Sequence, residues 1–121
     1  MGADTDRDRL DAAALGVERL GERATLVHFS SAFCLPCRAT RLVLAEVAGL
    51  VEGVAHVEVD AESRLDLMRA LDITHTPTVL VLAADGRIVR RAAGQPRKAA
   101  VVAALGEAVA EDSAPRSEDR T

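Results

Sequence analysis

The stretch Phe33-Cys34-Leu35-Pro36-Cys37 constrains this chain more than any other. It holds both cysteines and joins a short apolar, β-branched run (24–30) to a helical pattern that runs from Leu35 to about Leu50. A strand that ends at such a pair, with a helix starting inside it, implies an α/β arrangement with the sulfurs at the strand–helix junction. Two thiols at this spacing have two chemistries open to them. They close a small disulfide ring by thiol exchange, or they supply half the ligands of a metal site. A chain of 121 residues buries roughly two-thirds of its unfolded surface. It therefore folds without a covalent staple, and the cysteines are free for chemistry.

Around this centre the chain reads in order. Leu10, Ala13, Ala14, Val17 and Leu20 recur at helical spacing and predict a helix before Gly21. The run 24–30 predicts a buried strand, and 35–50 a helix with Pro36 in its first turn, where the missing N–H has no partner to lose. Val57 and Val59 alternate with His56 and Glu58, predicting a strand over 54–60. Leu65, Met68 and Leu71 predict a second helix over 61–71. After Thr76-Pro77-Thr78 come a strand at 79–82, the Asp85-Gly86 hairpin signal, a partner strand at 88–91 and a last amphipathic helix over 98–110. The fold class that follows is α/β, a mixed central β-sheet flanked by helices on both faces. Residues 10–110 form the expected domain, with a flexible N-terminus at 1–9 and a disordered C-terminal tail at 111–121.

Charge narrows the function classes. Residues 1–11 and 111–121 each carry four acids and two arginines, which accounts for the whole net charge of −4. The neutral remainder, with Phe29 and Phe33 as its only aromatics, offers no basic, aromatic-studded surface for nucleic acid. No run approaches the roughly 18 apolar residues of a membrane span, and the first residues lack the pattern of a leader peptide. A cytoplasmic, monomeric protein with no membrane segment is the expectation. In a reducing compartment a close cysteine pair is there for catalysis or metal rather than stability.

At the start of a helix, Cys34 meets free backbone N–H groups and the positive end of the macrodipole, which favour a thiolate nucleophile. Cys37, a turn further in, is expected to be buried and to keep its proton until a mixed disulfide forms. Arg38 and Arg41 stand to add positive potential. The metal reading needs His28, His56 or His75 to complete a four-ligand site, and no second close ligand pair accompanies the cysteines. A third reading keeps the fold as a redox-sensing or docking domain without efficient turnover.

With Val27-His28-Phe29, Phe33-Cys34-Leu35-Pro36-Cys37-Arg38, the 57–60 strand, Thr76-Pro77-Thr78, Asp85-Gly86 and Gly94 in view, residues 24–110 resemble the thioredoxin family. The resemblance implies a thiol-disulfide oxidoreductase acting on protein disulfide substrates, with a thioredoxin reductase as electron donor and no cofactor beyond the Cys34–Cys37 disulfide. It implies that Pro77 is cis and faces the disulfide, and that Phe33, Leu35, Pro36, Thr76 and Gly94 form the substrate-binding surface beside the catalytic Cys34, Cys37 and Pro77. Two departures stand out. Phe33 and Leu35 replace the Trp and Gly of the usual Trp-Cys-Gly-Pro-Cys, and the buried Asp that takes the resolving thiol's proton aligns with His28. The Lys that often accompanies that Asp aligns with His56, so that the resemblance casts the His pair as a proton relay.

Overall fold

In the computed structural model the described residues are 5, 6 and 8–113. Two short strands, β1 (Thr5–Asp6) and β2 (Arg9–Leu10), pair antiparallel ahead of α1 (Ala12–Leu15). There follow β3 (Ala24–Ser30), α2 (Leu35–Leu50), β4 (Val54–Asp60), a 3₁₀ turn (Ala61–Ser63), α3 (Leu65–Ala70), β5 (Thr78–Ala83), β6 (Ile88–Ala93) and α4 (Lys98–Ser113). Parts of the expected flexible ends, residues 1–4, 7 and 114–121, lie outside the described residues.

The main sheet has the order β4-β3-β5-β6. β3 lies parallel to β4 and antiparallel to β5, and β5 pairs antiparallel with β6, which makes the expected mixed sheet. All seven residues of β3 are buried, as its unbroken apolar run demands of a strand covered on both faces. Ala24 and Leu26 project to one face, where Leu44 and Val47 of α2 and Val101, Leu105 and Ala108 of α4 close over them. Val27 and Phe29 project to the other, meeting Leu10, Ala14 and Leu15 from the N-terminal segment and Leu67, Leu71 and Ile73 from around α3. Each fully buried Leu contributes about 2 kcal/mol, so these two layers hold the sheet.

Two expected helices are shorter than their apolar periodicity suggests. The first is confined to Ala12–Leu15: the Asp11 carboxylate caps it by accepting from the Ala14 N–H (2.8 Å), and Gly16, at φ 77°, ends it. Leu10, Val17 and Leu20 still reach the core, but from a strand and a loop. The second splits at Arg64, whose φ of −131° is not helical. Asp60 draws the chain into the preceding 3₁₀ turn by accepting from the Glu62 N–H and the Ser63 hydroxyl. Leu67 is buried in place of Leu65, which is exposed. The Asp85-Gly86 hairpin forms as expected, with Gly86 at φ 92° donating its N–H to the Ala83 carbonyl (2.9 Å).

Candidate active site

Strand register brings three loops to one end of the sheet. Phe29 of β3 is level with Thr78 at the start of β5, and Thr78 is level with Ala93 at the end of β6. The chain therefore leaves β3 toward Cys34, enters β5 from Thr76-Pro77 and leaves β6 at Gly94, all at the same edge. Two contacts tie these loops together. The Ser31 and Thr76 hydroxyls lie 3.4 Å apart, and the Gly94 N–H donates to the Pro77 carbonyl (2.8 Å). The Thr76-Pro77 bond is cis, as the resemblance implies, and Pro77 is buried. Gly94 sits at φ 90°, a conformation that suits glycine.

Cys34 is the N-cap of α2, with extended backbone and no side-chain cap. The first-turn N–H groups are therefore left without a side-chain acceptor, which is the local condition that favours negative charge on a sulfur there. Pro36 occupies the first turn, as expected. Cys34 and Cys37 are joined by a disulfide with Cα atoms 5.2 Å apart. The two sulfurs are unequal: Cys37 is 1% exposed, whereas Cys34 is partly open to solvent. Beside Cys34, Phe33 and Leu35 are 96% and 80% exposed, an apolar surface that no described residue covers. With Ser31, Ala32, Arg38 and Arg41 they line a recess at Cys34.

Beneath α2 the sequence places its two unusual histidines. His28 is on the same face of β3 as Leu26, the face that α2 covers. Because α2 runs back along β3, its buried stripe from Val47 and Leu44 to Thr40 and Cys37 climbs toward the His28 end of the strand. The His28 ring is fully buried, and neither of its nitrogens has a hydrogen-bond partner among the described residues. It stacks with His56 of β4, ring centroids 6.4 Å apart and planes inclined by 18°. Burial pushes the His28 imidazole down to about 4 against the attraction of Glu58, and burial likewise lowers His56. Burial thus favours the neutral form of both rings.

Arg41 does not face Cys34 as a free cation. Its Nε and Nη2 donate to Glu58 Oε1 and Oε2 (2.8 and 2.6 Å), and the Ser30 hydroxyl donates to Glu58 Oε2 (2.6 Å). The Arg41 guanidinium holds the Glu58 carboxyl down to about 2. Sequence reading missed Glu58, although strand alternation does set it on the same side as His56. The structure thus gathers Phe33, Cys34, Leu35, Pro36, Cys37, Thr76, Pro77 and Gly94 at one sheet end, with His28 below them. It leaves His75 apart: His75 is exposed, its Nδ1 2.9 Å from the Thr74 hydroxyl. No group of three or more His, Cys, Asp or Glu suited to hold a metal occurs among the described residues, and no described helix is long and apolar enough to cross a membrane.

Comparison with known proteins agrees with this arrangement. The thioredoxin family model matches residues 16–107. Thioredoxin from Mycolicibacterium smegmatis is 32% identical over 90 residues, covering 72% of this chain and 80% of its own. Thioredoxin from Mycoplasma pneumoniae is also 32% identical, over 91 residues, covering 71% and 88%. Among solved structures, the chloroplastic thioredoxin z superposes with a TM-score of 0.65 at 25% identity, covering 74% of this chain and 80% of that one. A mutant thioredoxin from Halobacterium salinarum NRC-1 reaches 0.66 at 22% identity, covering 73% and 76%. The chain belongs to the thioredoxin family, and its Cys34–Cys37 pair is that of a thiol-disulfide oxidoreductase.

Proposed function

We propose that the chain reduces protein disulfides, with Cys34 as the attacking thiol and Cys37 as the resolving one. The observation that carries this reading is the inequality of the sulfurs: a partly open Cys34 at a helix start and a Cys37 that is 1% exposed. An incoming disulfide meets Cys34 first. Its thiolate attacks one client sulfur, the client S–S bond breaks, and the released client thiolate takes a proton. Cys37 then loses its proton to the neutral imidazole of His28 and attacks Cys34 Sγ. The Cys34–Cys37 bond forms as the second client sulfur leaves, so the client gains two electrons and the enzyme dithiol is oxidised.

Phe33, Leu35 and Pro36 offer the client an apolar landing surface, and Thr76, Pro77 and Gly94 form its opposite wall. Reducing equivalents come from a thioredoxin reductase, and the protein works as a cytoplasmic monomer. These assignments rest on its kinship with bacterial thioredoxins. The test is insulin reduction driven by dithiothreitol, with wild type and Cys34→Ser side by side. Turnover is expected only in wild type, and equal rates would overturn the proposal.

A further inference from the structure

The buried polar side-chain atoms of the main sheet and α2 are satisfied except on the two stacked histidines, His28 and the Nε2 of His56. Thr25 accepts from the Gly21 N–H, Ser30 donates to Glu58, Thr40 donates to the Pro36 carbonyl and Thr78 donates to the His75 carbonyl. His28, fully buried, has no such partner on either nitrogen among the described residues. An unpaired buried polar group is costly, and a site where one persists calls for a reason. Glu58 stands directly beside it in the ladder, since His28 and Glu58 are register partners across β3 and β4. The carboxylate is held from two sides, by Arg41 of α2 and Ser30 of β3.

We infer that Glu58 is a positioning residue of the resolving step: its carboxylate, clamped by Arg41 and Ser30, stabilises the imidazolium that His28 becomes on taking the Cys37 proton, and Arg41 tempers that effect. This rests on His28 acting as the base, as proposed above. The step balances: the proton passes from Cys37 Sγ to an imidazole nitrogen, the thiolate attacks Cys34 Sγ, and the leaving sulfur departs with the electron pair of the broken bond. The charged or titratable groups that reach His28 are Glu58 and His56 from β4 and Arg41 from α2. Its β5 neighbour in the ladder is Val79, which is uncharged. The directions of their influence agree with the geometry: Glu58 raises the basicity of His28, while Arg41 and His56 lower it.

Reduced full-length protein mixed with 5,5′-dithiobis(2-nitrobenzoate) in a stopped-flow instrument tests this. The first release of nitrothiobenzoate reports attack by Cys34 and the second reports resolution by Cys37. The ratio of second to first rate, followed from pH 6 to 9, cancels any general folding defect. His28→Leu is expected to lower that ratio near pH 6.5 by at least about tenfold. Glu58→Gln should lower it by about three- to tenfold there and converge with wild type at pH 9. Arg41→Gln removes the opposing cation but leaves the carboxylate held by the Ser30 hydroxyl, so it should leave the ratio equal or raise it. A normal ratio in His28→Leu would remove the base and this inference together. A slowed His28→Leu with a normal Glu58→Gln would overturn the role of Glu58 alone. Equal slowing by Glu58→Gln and Arg41→Gln at every pH would reduce the pair to a structural latch.

Discussion

The rings of His28 and His56 stack 6.4 Å apart on adjacent parallel strands, and three of their four nitrogens are buried without a hydrogen-bond partner among the described residues. Such a pair is tolerated only while neutral, because charging either ring places a cation in a site that burial penalises. The fold therefore carries a built-in sensitivity to acid. Its sign follows from His28, which unfolds to an ordinary value of 6.5 and is pushed down to about 4 when folded. Between those values the unfolded chain binds the extra proton. The stability linked to His28 is thus fully present above about pH 6.5 and is lost as pH falls toward 4, by on the order of 3 kcal/mol. Thermal melts at pH 7 and pH 4.5 should show a marked fall in Tm for wild type and a smaller one for His28→Leu. The same fall in both would remove His28 as the cause. Glu58, held down to about 2, adds its own loss only below about pH 4.5.

Phe33 and Leu35 stand almost wholly in solvent beside Cys34. Replacing either by Ala removes no packed contact, so the melting point should hold to within about 0.5 kcal/mol of stability. If the two side chains receive the client, KM for insulin should rise several-fold in the double variant. The rate with a small disulfide such as 5,5′-dithiobis(2-nitrobenzoate) should change little. A variant equal to wild type on both substrates would show that clients land elsewhere.

Much of the site was legible in the sequence because it is local. The strand entering Cys34, the helix leaving it and the cysteine spacing are contiguous, and Asp85-Gly86 announces its own hairpin. Burial was legible too, since Leu10, Val17 and Leu20 do reach the core. Their backbone was not, because strand, short helix and loop all deliver an apolar residue to the same layer, and Gly16 ended the helix earlier than the spacing implied. The role of Arg41 was hidden for a different reason. Its partner lies 17 residues away, and only the way α2 crosses the β3–β4 ladder makes Glu58, rather than Cys34, the anion it meets.

Gly86 and Gly94 both have φ near 90°, yet their surroundings predict different outcomes on substitution. At Gly94 a Cβ would meet nothing within 4 Å, so Gly94→Ala should cost only the conformational penalty of about 1–2 kcal/mol. At Gly86 a Cβ would overlap the Leu10 carbonyl oxygen, backbone that cannot step aside because the Leu10 N–H also donates to the Gly86 carbonyl (2.9 Å). Gly86→Ala is expected to be the more damaging by at least about 1 kcal/mol. Urea unfolding of the two variants decides it, and equal midpoints would show that the N-terminal segment yields freely.

The mixed disulfide itself is the last test. Cys37 is buried behind Cys34 at the start of α2, so a client sulfur held on Cys34 is approached from within the protein by Cys37 and from outside only by small thiols. Cys37→Ser removes the inner route. Incubated with a disulfide-bonded client, this variant should accumulate a covalent adduct that survives non-reducing electrophoresis and dissolves with dithiothreitol. Cys34→Ser should form far less, because its remaining thiol is 1% exposed and sits behind the replaced residue. Adducts of equal yield in the two variants would mean that burial does not divide the roles of the sulfurs, and that Cys37 reaches clients by an opening of the first turn of α2.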